Sequence, residues 1–445
     1  MARRRKRKRF NFELRLGAKP ARIAGVVFGM FMVAATIGCV VYTSVAPENR
    51  EEVATPPERF QPEPLERLDR IEGWVPYWGD EAQIAGDAAK AGFTDLLFFH
   101  GSVDEDGSVK LEDTRGLAAG LAASGSARSW LTVTNHGGSM QGALIDNPDA
   151  HTDSLLDAYH ASGCSHLDLD YESLNVAQAE ALLPLASAVS DRLPSGARLS
   201  LTLQPVDDQL RPNQRVAYQK LLESPHVYTV RLMMYDYHWR GSLPGALYPL
   251  PAFERLLKLW APHAHKLTMC LPLYGYDWAR PEDTSIPKAE VITLRDVKAL
   301  SSKPGFDAVW MTQEGELAAR YLDGVTHMVA LPSHRAIQAR VELGLDWGVP
   351  GVSFWHLGCA SPGPVVQVCA RDRLARETIT YDRANIWNDW LEPFKRRVCK
   401  VITGDGSRTL EQIGEAHGVS RSAMFRFNEQ VTDGDLSGQT VFIPE

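Results

Sequence analysis

The stretch His166-Leu167-Asp168-Leu169-Asp170-Tyr171-Glu172 constrains the fold more than any other part of the chain. Apolar and acidic residues alternate with a period of two, the period of a β-strand. Leu167, Leu169 and Tyr171 therefore share one face, and Asp168, Asp170 and Glu172 the other. Three carboxylates on one strand face repel one another. On an antiparallel sheet with one wet face, such alternation costs little. Here strand-like apolar runs alternate with helical segments on both sides, which implies a parallel sheet covered on both faces. In a closed parallel barrel the acidic face points inward, and carboxylates near the C-terminal end of a strand read as catalytic.

The rest of the pattern supplies such a barrel. Strands are expected at 71–78, 94–100, 129–135, the acidic stretch, 198–204, 228–235, 266–273 and 351–355. Helical periodicity falls at 80–91, 117–124, 153–162, 176–193, 213–223 and 252–261, the last stopped by Pro262. Eight strands separated by helices predict an α/β fold, a (β/α)8 TIM barrel. The segment from Tyr274 to Val349 is too long for one βα unit. It is expected to hold the seventh helix and a small α+β insertion, with strands near 307–311 and 327–331. Polar and aromatic residues recur at the C-terminal ends of the strands: Tyr77, Trp78, His100, Asn135, Gln204, Tyr235, Asp236, Tyr274 and Trp355. A lone Trp or Tyr is usually core. Recurrence at one end of different strands points instead to a site, and aromatics at a barrel mouth suit the C–H faces of sugar rings.

The chain of 445 residues is ordinary in composition and long enough for one large domain and a small one. Its net charge of −8 hides an asymmetry. Residues 1–22 carry ten Lys and Arg against one Glu, which leaves roughly −17 on the remainder. An acidic body argues against nucleic acid as the partner. Residues 23–45 contain no charge, and a bilayer core needs about 20 apolar residues. The basic cluster ahead of them predicts a single-pass helix in the inner (cytoplasmic) membrane, with the N-terminus cytoplasmic and the rest periplasmic or extracellular. A cleaved signal peptide is the rival, though its apolar region is usually only about 7–15 residues. Residues 46–68, rich in Pro, Glu and Arg, read as a linker.

There are six cysteines. Cys359 and Cys369 flank a Pro-containing loop and are the expected disulfide, with Cys369–Cys399 as the alternative. Cys164 and Cys270 lie in apolar runs and read as buried thiols. No His or Cys spacing suits a metal, and no cofactor is expected.

Four segments in order resemble glycoside hydrolase family 18, the chitinases and related enzymes acting on peptidoglycan. Ser165-His166-Leu167-Asp168-Leu169-Asp170-Tyr171-Glu172 is similar to the family motif Asp-Gly-x-Asp-x-Asp-x-Glu, with Ser165 and His166 departing from its first two positions. The other three are Met233-Met234-Tyr235-Asp236-Tyr237-His238, Leu271-Pro272-Leu273-Tyr274-Gly275 and Gly351-Val352-Ser353-Phe354-Trp355. The span is 69–396, and the detail around Tyr235 is most similar to the spore-germination glycosidases. The resemblance implies that Glu172 protonates the leaving oxygen and that the substrate's own acetamido oxygen attacks C1. Asp170 then orients the acetamido group, Asp168 tunes Asp170 through a shared proton, and Tyr235 holds the acetamido oxygen. It further implies substrate binding by Asp236 and Trp355. Tyr77, Trp78, Tyr274 and Gln204 join them as candidates from their strand ends.

Residues 397–445 resemble a LysM domain, a βααβ module that binds N-acetylglucosamine chains. The reading that follows is a membrane-anchored hydrolase of N-acetylglucosamine-containing polysaccharide, with peptidoglycan ahead of chitin as substrate. A wall-anchoring sugar-binding protein remains the alternative, although such proteins usually lack the acid that Glu172 provides.

Overall fold

The computed structural model describes residues 62–444, apart from 208–209, 280–288, 371–394, 397–398, 405 and 429–435. The expected membrane span at 23–45 and most of the linker lie outside the described residues. Among the described residues no helix is long and apolar enough to cross a membrane.

Eight parallel strands close into a barrel. They are β1 (Arg70–Pro76), β2 (Asp95–Val103), β4 (Arg128–Thr134), β5 (His166–Asp170), β6 (Leu199–Leu203), β7 (Thr229–Met233), β8 (Leu267–Pro272) and β14 (Gly351–Trp355). The short β3 (Val109–Leu111) adds antiparallel to β2, and the pairings of β1 with both β2 and β14 complete the ring. Eight helices connect and cover the strands: α1 (Glu81–Ala91), α2 (Thr114–Ala123), α3 (Pro148–Ser162), α4 (Val176–Ser190), α5 (Arg215–Glu223), α6 (Leu250–Trp260), α8 (His334–Asp346) and α9 (Pro362–Cys369). Each expected strand and helix is present, with ends displaced by a few residues.

Strand parity divides the barrel into two chemistries. Outward side chains such as Leu167, Leu169, Leu199, Leu201, Val230 and Leu232 are buried against the helices and form the main core. Inward positions are mixed: Trp74, Leu97, Phe99, Trp130 and Cys270 form a second, smaller cluster, and polar side chains stand among them. Glu72, Thr132, Asp168, Ser200, Arg231, Thr268 and Ser353 are all fully buried. The register sets Asp168 beside Thr132 on one side and Ser200 on the other. Asp168 thus stands among buried hydroxyls that the strand register sets beside it.

Between β8 and α8 lies a five-stranded antiparallel sheet, ordered β10-β9-β13-β12-β11. Its strands are β9 (Tyr274–Ala279), β10 (Ala289–Thr293), β11 (Asp307–Met311), β12 (Glu316–Asp323) and β13 (Val325–Leu331), with the one-turn α7 (Val297–Leu300) between β10 and β11. The sequence reading found β11 and β13 but missed the other three. β9 follows β8 after a single residue, so the two read as one apolar run.

At the C-terminal end, β15 (Cys399–Thr403), α10 (Leu410–His417), α11 (Arg421–Phe427) and β16 (Thr440–Pro444) follow in βααβ order, with the two strands antiparallel. A capping box between Thr409 and Gln412 starts α10. Leu410, Ile413, Met424, Leu436, Val441 and Ile443 form a small core.

The expected disulfide is absent. No disulfide joins the five described cysteines, and Cys359 and Cys369 are separately buried thiols. α9 lies between them, ends at Cys369 and rises about 10 Å from Pro362, so it cannot fold back toward Cys359 as a loop could.

Candidate active site

β5 delivers the carboxylates to the C-terminal mouth of the barrel. Gly163, with φ of 73°, ends α3 in the left-handed region and turns the chain toward the strand. Leu167 and Leu169 anchor the outer face, each burial stabilising by about 1.5–3 kcal/mol. Tyr171 follows them outward. His151 Nδ1 donates to the Gly107 carbonyl at 2.6 Å, which leaves Nε2 to accept the Tyr171 hydroxyl at 2.7 Å. Outer packing of this kind fixes Asp168, Asp170 and Glu172 on the inner side.

Both oxygens of Asp168 accept hydrogen bonds. Ser200 Oγ donates at 2.7 Å, Arg231 Nη1 at 2.9 Å, Thr132 Oγ1 at 3.1 Å, and Thr202 Oγ1 reaches both oxygens at 3.0 and 3.1 Å. Asp170 differs. It is 6% exposed, and its Oδ1 has no hydrogen-bond partner among the described residues. Burial first, then the charges of Glu172 and Asp168, push its carboxyl well above the usual range.

Glu172 stands at the mouth, half-buried, two residues past the end of β5. Burial and then the charge of Asp236 push it up to about 7, with Arg211 pulling the other way. A carboxyl at that value holds a proton near neutrality and can release it, which is what a general acid requires. Gln204 bridges the turn beyond it: Oε1 accepts from Ser173 N at 3.1 Å, and Nε2 lies 3.5 Å from Glu172 Oε2.

Asp236 faces Glu172 from the end of β7. Its φ of 57° is unusual for a residue with a Cβ. Tyr274 and Tyr276 donate to its Oδ1 at 2.6 and 2.9 Å. Burial pushes Asp236 up to about 6, and the two hydroxyls hold it below what burial alone would give. Tyr274 was expected to bind substrate. It is 2% exposed, and its hydroxyl is directed at Asp236. Tyr235, half-buried, keeps its phenol protonated because burial raises it far above its ordinary value.

Aromatic rings gather beside the carboxylates. Trp355, partly exposed at the end of β14, meets Phe99 edge-on at 4.9 Å, Trp74 at 5.9 Å and Trp78 at 6.2 Å. Tyr77 packs edge-on to Trp78 at 4.9 Å and lies toward His100, at 6.1 Å. His166, one of the two departures from the motif, finds its own packing: its ring lies 4.5 Å from that of Trp130, and Nδ1 accepts from Arg198 N at 3.2 Å. Burial lowers it to about 4, so it is neutral.

Sequence reasoning gave no role to Asn135, Tyr276, Glu72 or Arg231. Asn135 was visible as a polar strand end, and Tyr276 follows Tyr274 at period two. Glu72 and Arg231 were visible only as single charges inside apolar strands.

No family model matches the chain. Proteins that resemble it include enzymes named as cortical fragment-lytic enzymes, glycosylases and chitinases, which supports a glycoside hydrolase. Over 287 residues it is 26% identical to the cortical fragment-lytic enzyme of Bacillus anthracis, a match covering 60% of this chain. The chain spans 66% of the length of that curated relative. Among solved structures, the spore cortex-lytic enzyme SleL of Bacillus cereus matches with a TM-score of 0.60 at 21% identity, over 80% of this chain and 85% of that one. A chitinase from Chromobacterium violaceum matches with a TM-score of 0.58 at 16% identity, over 68% and 99%. At these identities the structural likenesses establish the barrel fold.

Proposed function

We propose that the chain is a glycoside hydrolase that cleaves β-1,4 bonds of N-acetylglucosamine-containing cell-wall glycan, with retention and with the substrate's acetamido group as nucleophile. One observation carries this reading: a carboxyl at about 7 stands next to a buried carboxyl whose Oδ1 has no partner among the described residues. Glu172 gives its proton to the glycosidic oxygen. The unpartnered Oδ1 of Asp170 accepts the acetamido N–H and turns the acetamido oxygen toward C1. The phenol of Tyr235 donates to that oxygen, Asp236 binds the reacting sugar, and the partly exposed Trp355 lies under it. The names of the relatives support peptidoglycan as the glycan and keep chitin as the second candidate.

Digestion of purified peptidoglycan and of chitin oligomers, with product masses read out, tests the proposal. Muropeptide fragments cut beside N-acetylglucosamine are the expected result. Release of chitin fragments alone would make the chain a chitinase, and tight binding without release a sugar-binding protein.

The C-terminal βααβ unit is read as a LysM-type glycan anchor, and the uncharged stretch 23–45 as the membrane anchor. Protease added to intact bacterial spheroplasts is expected to remove the barrel while a cytoplasmic control survives. Equal protection of both would contradict that orientation.

A further inference from the structure

Beneath the carboxylates lies a charged cluster to which the reaction above assigns no part. Arg231, on β7, is fully buried inside the barrel. Its Nε donates to Glu72 Oε2 at 2.6 Å, and its Nη1 donates to Asp168 Oδ1 at 2.9 Å and to Ser200 Oγ. Glu72 is fully buried on β1, with Arg70 Nε 3.2 Å away. A guanidinium removed from water is costly unless paired, and this one is placed so that its pairing reaches the reaction centre.

The hydroxyl directions show what it does there. Thr132 Oγ1 accepts from Trp74 Nε1 at 3.2 Å, so its own proton is left for Asp168. Ser200 Oγ accepts from Arg231 Nη1, so its proton too goes to Asp168. Asp168 is thus an acceptor on every side, the state of a carboxylate. Charge balance agrees. Arg70 and Arg231 offset Glu72 and Asp168. Asp95, on β2, is forked by Arg128 of β4 at 2.7 and 2.8 Å. No cation of this cluster remains to offset a charge on Asp170.

We propose that Arg231 is a positioning residue, within the glycosidase reading above: it holds Asp168 as a carboxylate, so the single proton of the Asp168–Asp170 pair stays on Asp170. Neutral Asp170 keeps Oδ1 as an acceptor for the acetamido N–H. It also does not repel the carboxylate that forms on Glu172 when the proton leaves for the glycosidic oxygen.

The groups facing this cluster come from most of the barrel strands. β1 presents Glu72 and Arg70, and β2 and β4 the Asp95–Arg128 pair. β5 adds neutral His166, and Tyr228 precedes β7 with its ring 5.6 Å from Arg70. Cys270 on β8 keeps its proton, since burial raises its thiol far above the ordinary value. None of the remaining groups substitutes for Arg231 as the cation on Asp168.

The test is the pH profile of kcat/KM and kcat on a soluble N-acetylglucosamine oligomer. Without Arg231 a second proton enters the Asp168–Asp170 pair at higher pH and removes the one negative charge that faces the cation forming on the sugar, so the acidic limb, where activity falls as pH falls, moves upward. Arg231→Met is expected to raise that limb by at least about one pH unit, since a paired opposite charge shifts a carboxylate by roughly 1–3 units. kcat should fall with KM nearly unchanged, and Arg231→Lys should restore most of the limb. If Arg231→Met does not fold, Glu72→Gln with Arg231→Met removes both charges and should show the same shift. Profiles that superpose on wild type would overturn the proposal while leaving the glycosidase reading intact. A wild-type protein that cuts no oligomer would count against that reading instead. The proton is then read directly by infrared absorption near neutral pH. A protonated-carboxyl band that Asp170→Asn removes supports the proposal, and its absence overturns it.

Discussion

Asn135 holds the main chain of Glu172 from both sides: its Oδ1 accepts from Glu172 N at 2.9 Å, and its Nδ2 donates to the Glu172 carbonyl at 3.0 Å. The same Nδ2 reaches Gly138 O at 2.7 Å, which ties the turn after β4 to the residue proposed as the acid. Glu172 lies beyond the strand ladder, so this side chain does for it what ladder bonds do for Asp168 and Asp170. Asn135→Ala is expected to lower kcat by about 10²-fold, the cost of misplacing a catalytic group by roughly 1 Å. Steady-state kinetics alongside a thermal melt separates this from unfolding. An unchanged kcat would mean that the grip is dispensable.

Asp236 and Glu172 are coupled by charge, and the sign is testable. As the proposed acid, Glu172 must carry its proton, so activity is expected to fall as pH rises through its value of about 7. The Asp236 anion helps to keep that proton on. Asp236→Asn therefore moves the alkaline limb to lower pH, though only part of the way toward an ordinary glutamate, because burial is the larger cause. Tyr274→Phe should act in the same direction and less strongly. It removes a hydroxyl that holds Asp236 down, so Asp236 is less often charged. A limb that moves upward in Asp236→Asn would contradict the coupling.

Much of the barrel could be read from the sequence, because strand and helix periods differ and alternate clearly from Ile71 to Leu273. The carboxylates were legible as a site only once the surrounding alternation implied a closed parallel barrel, since on a wet antiparallel face three acids at period two cost little. What stayed hidden has a common cause. Arg231 sits in the run Thr229–Met233, where one charge among apolar neighbours gives no clue to its partner. That partner, Glu72, lies 159 positions away and becomes a neighbour only when the ring closes. The burial of Tyr274 was not legible, because a strand-end aromatic looks the same whether its ring is exposed or buried. The disulfide failed on direction: a helix between two cysteines runs straight, whereas a loop can turn back and bring them together. β9 merged with β8 because the break between them is a change of sheet.

The C-terminal unit should act on affinity rather than chemistry, because tethering raises the local concentration of an insoluble glycan. Deleting 397–445 is expected to weaken pull-down by insoluble wall and to leave turnover of short soluble oligomers nearly unchanged. Equal loss on both substrates would mean that the unit is part of the barrel's structure.

The central claim is that the substrate's acetamido group is the nucleophile, with Glu172 as the acid. Glu172→Gln keeps the shape and removes the proton, so hydrolysis should fall by roughly 10²–10⁴-fold, while binding over the Trp355 platform survives. The most direct measurement is proton NMR of the earliest products from N-acetylated and de-acetylated oligomers of equal length. The account predicts retained configuration at the new reducing end and no cleavage where the reacting sugar carries a free amine. An inverted product, or cleavage of the de-acetylated chain at a comparable rate, would contradict it.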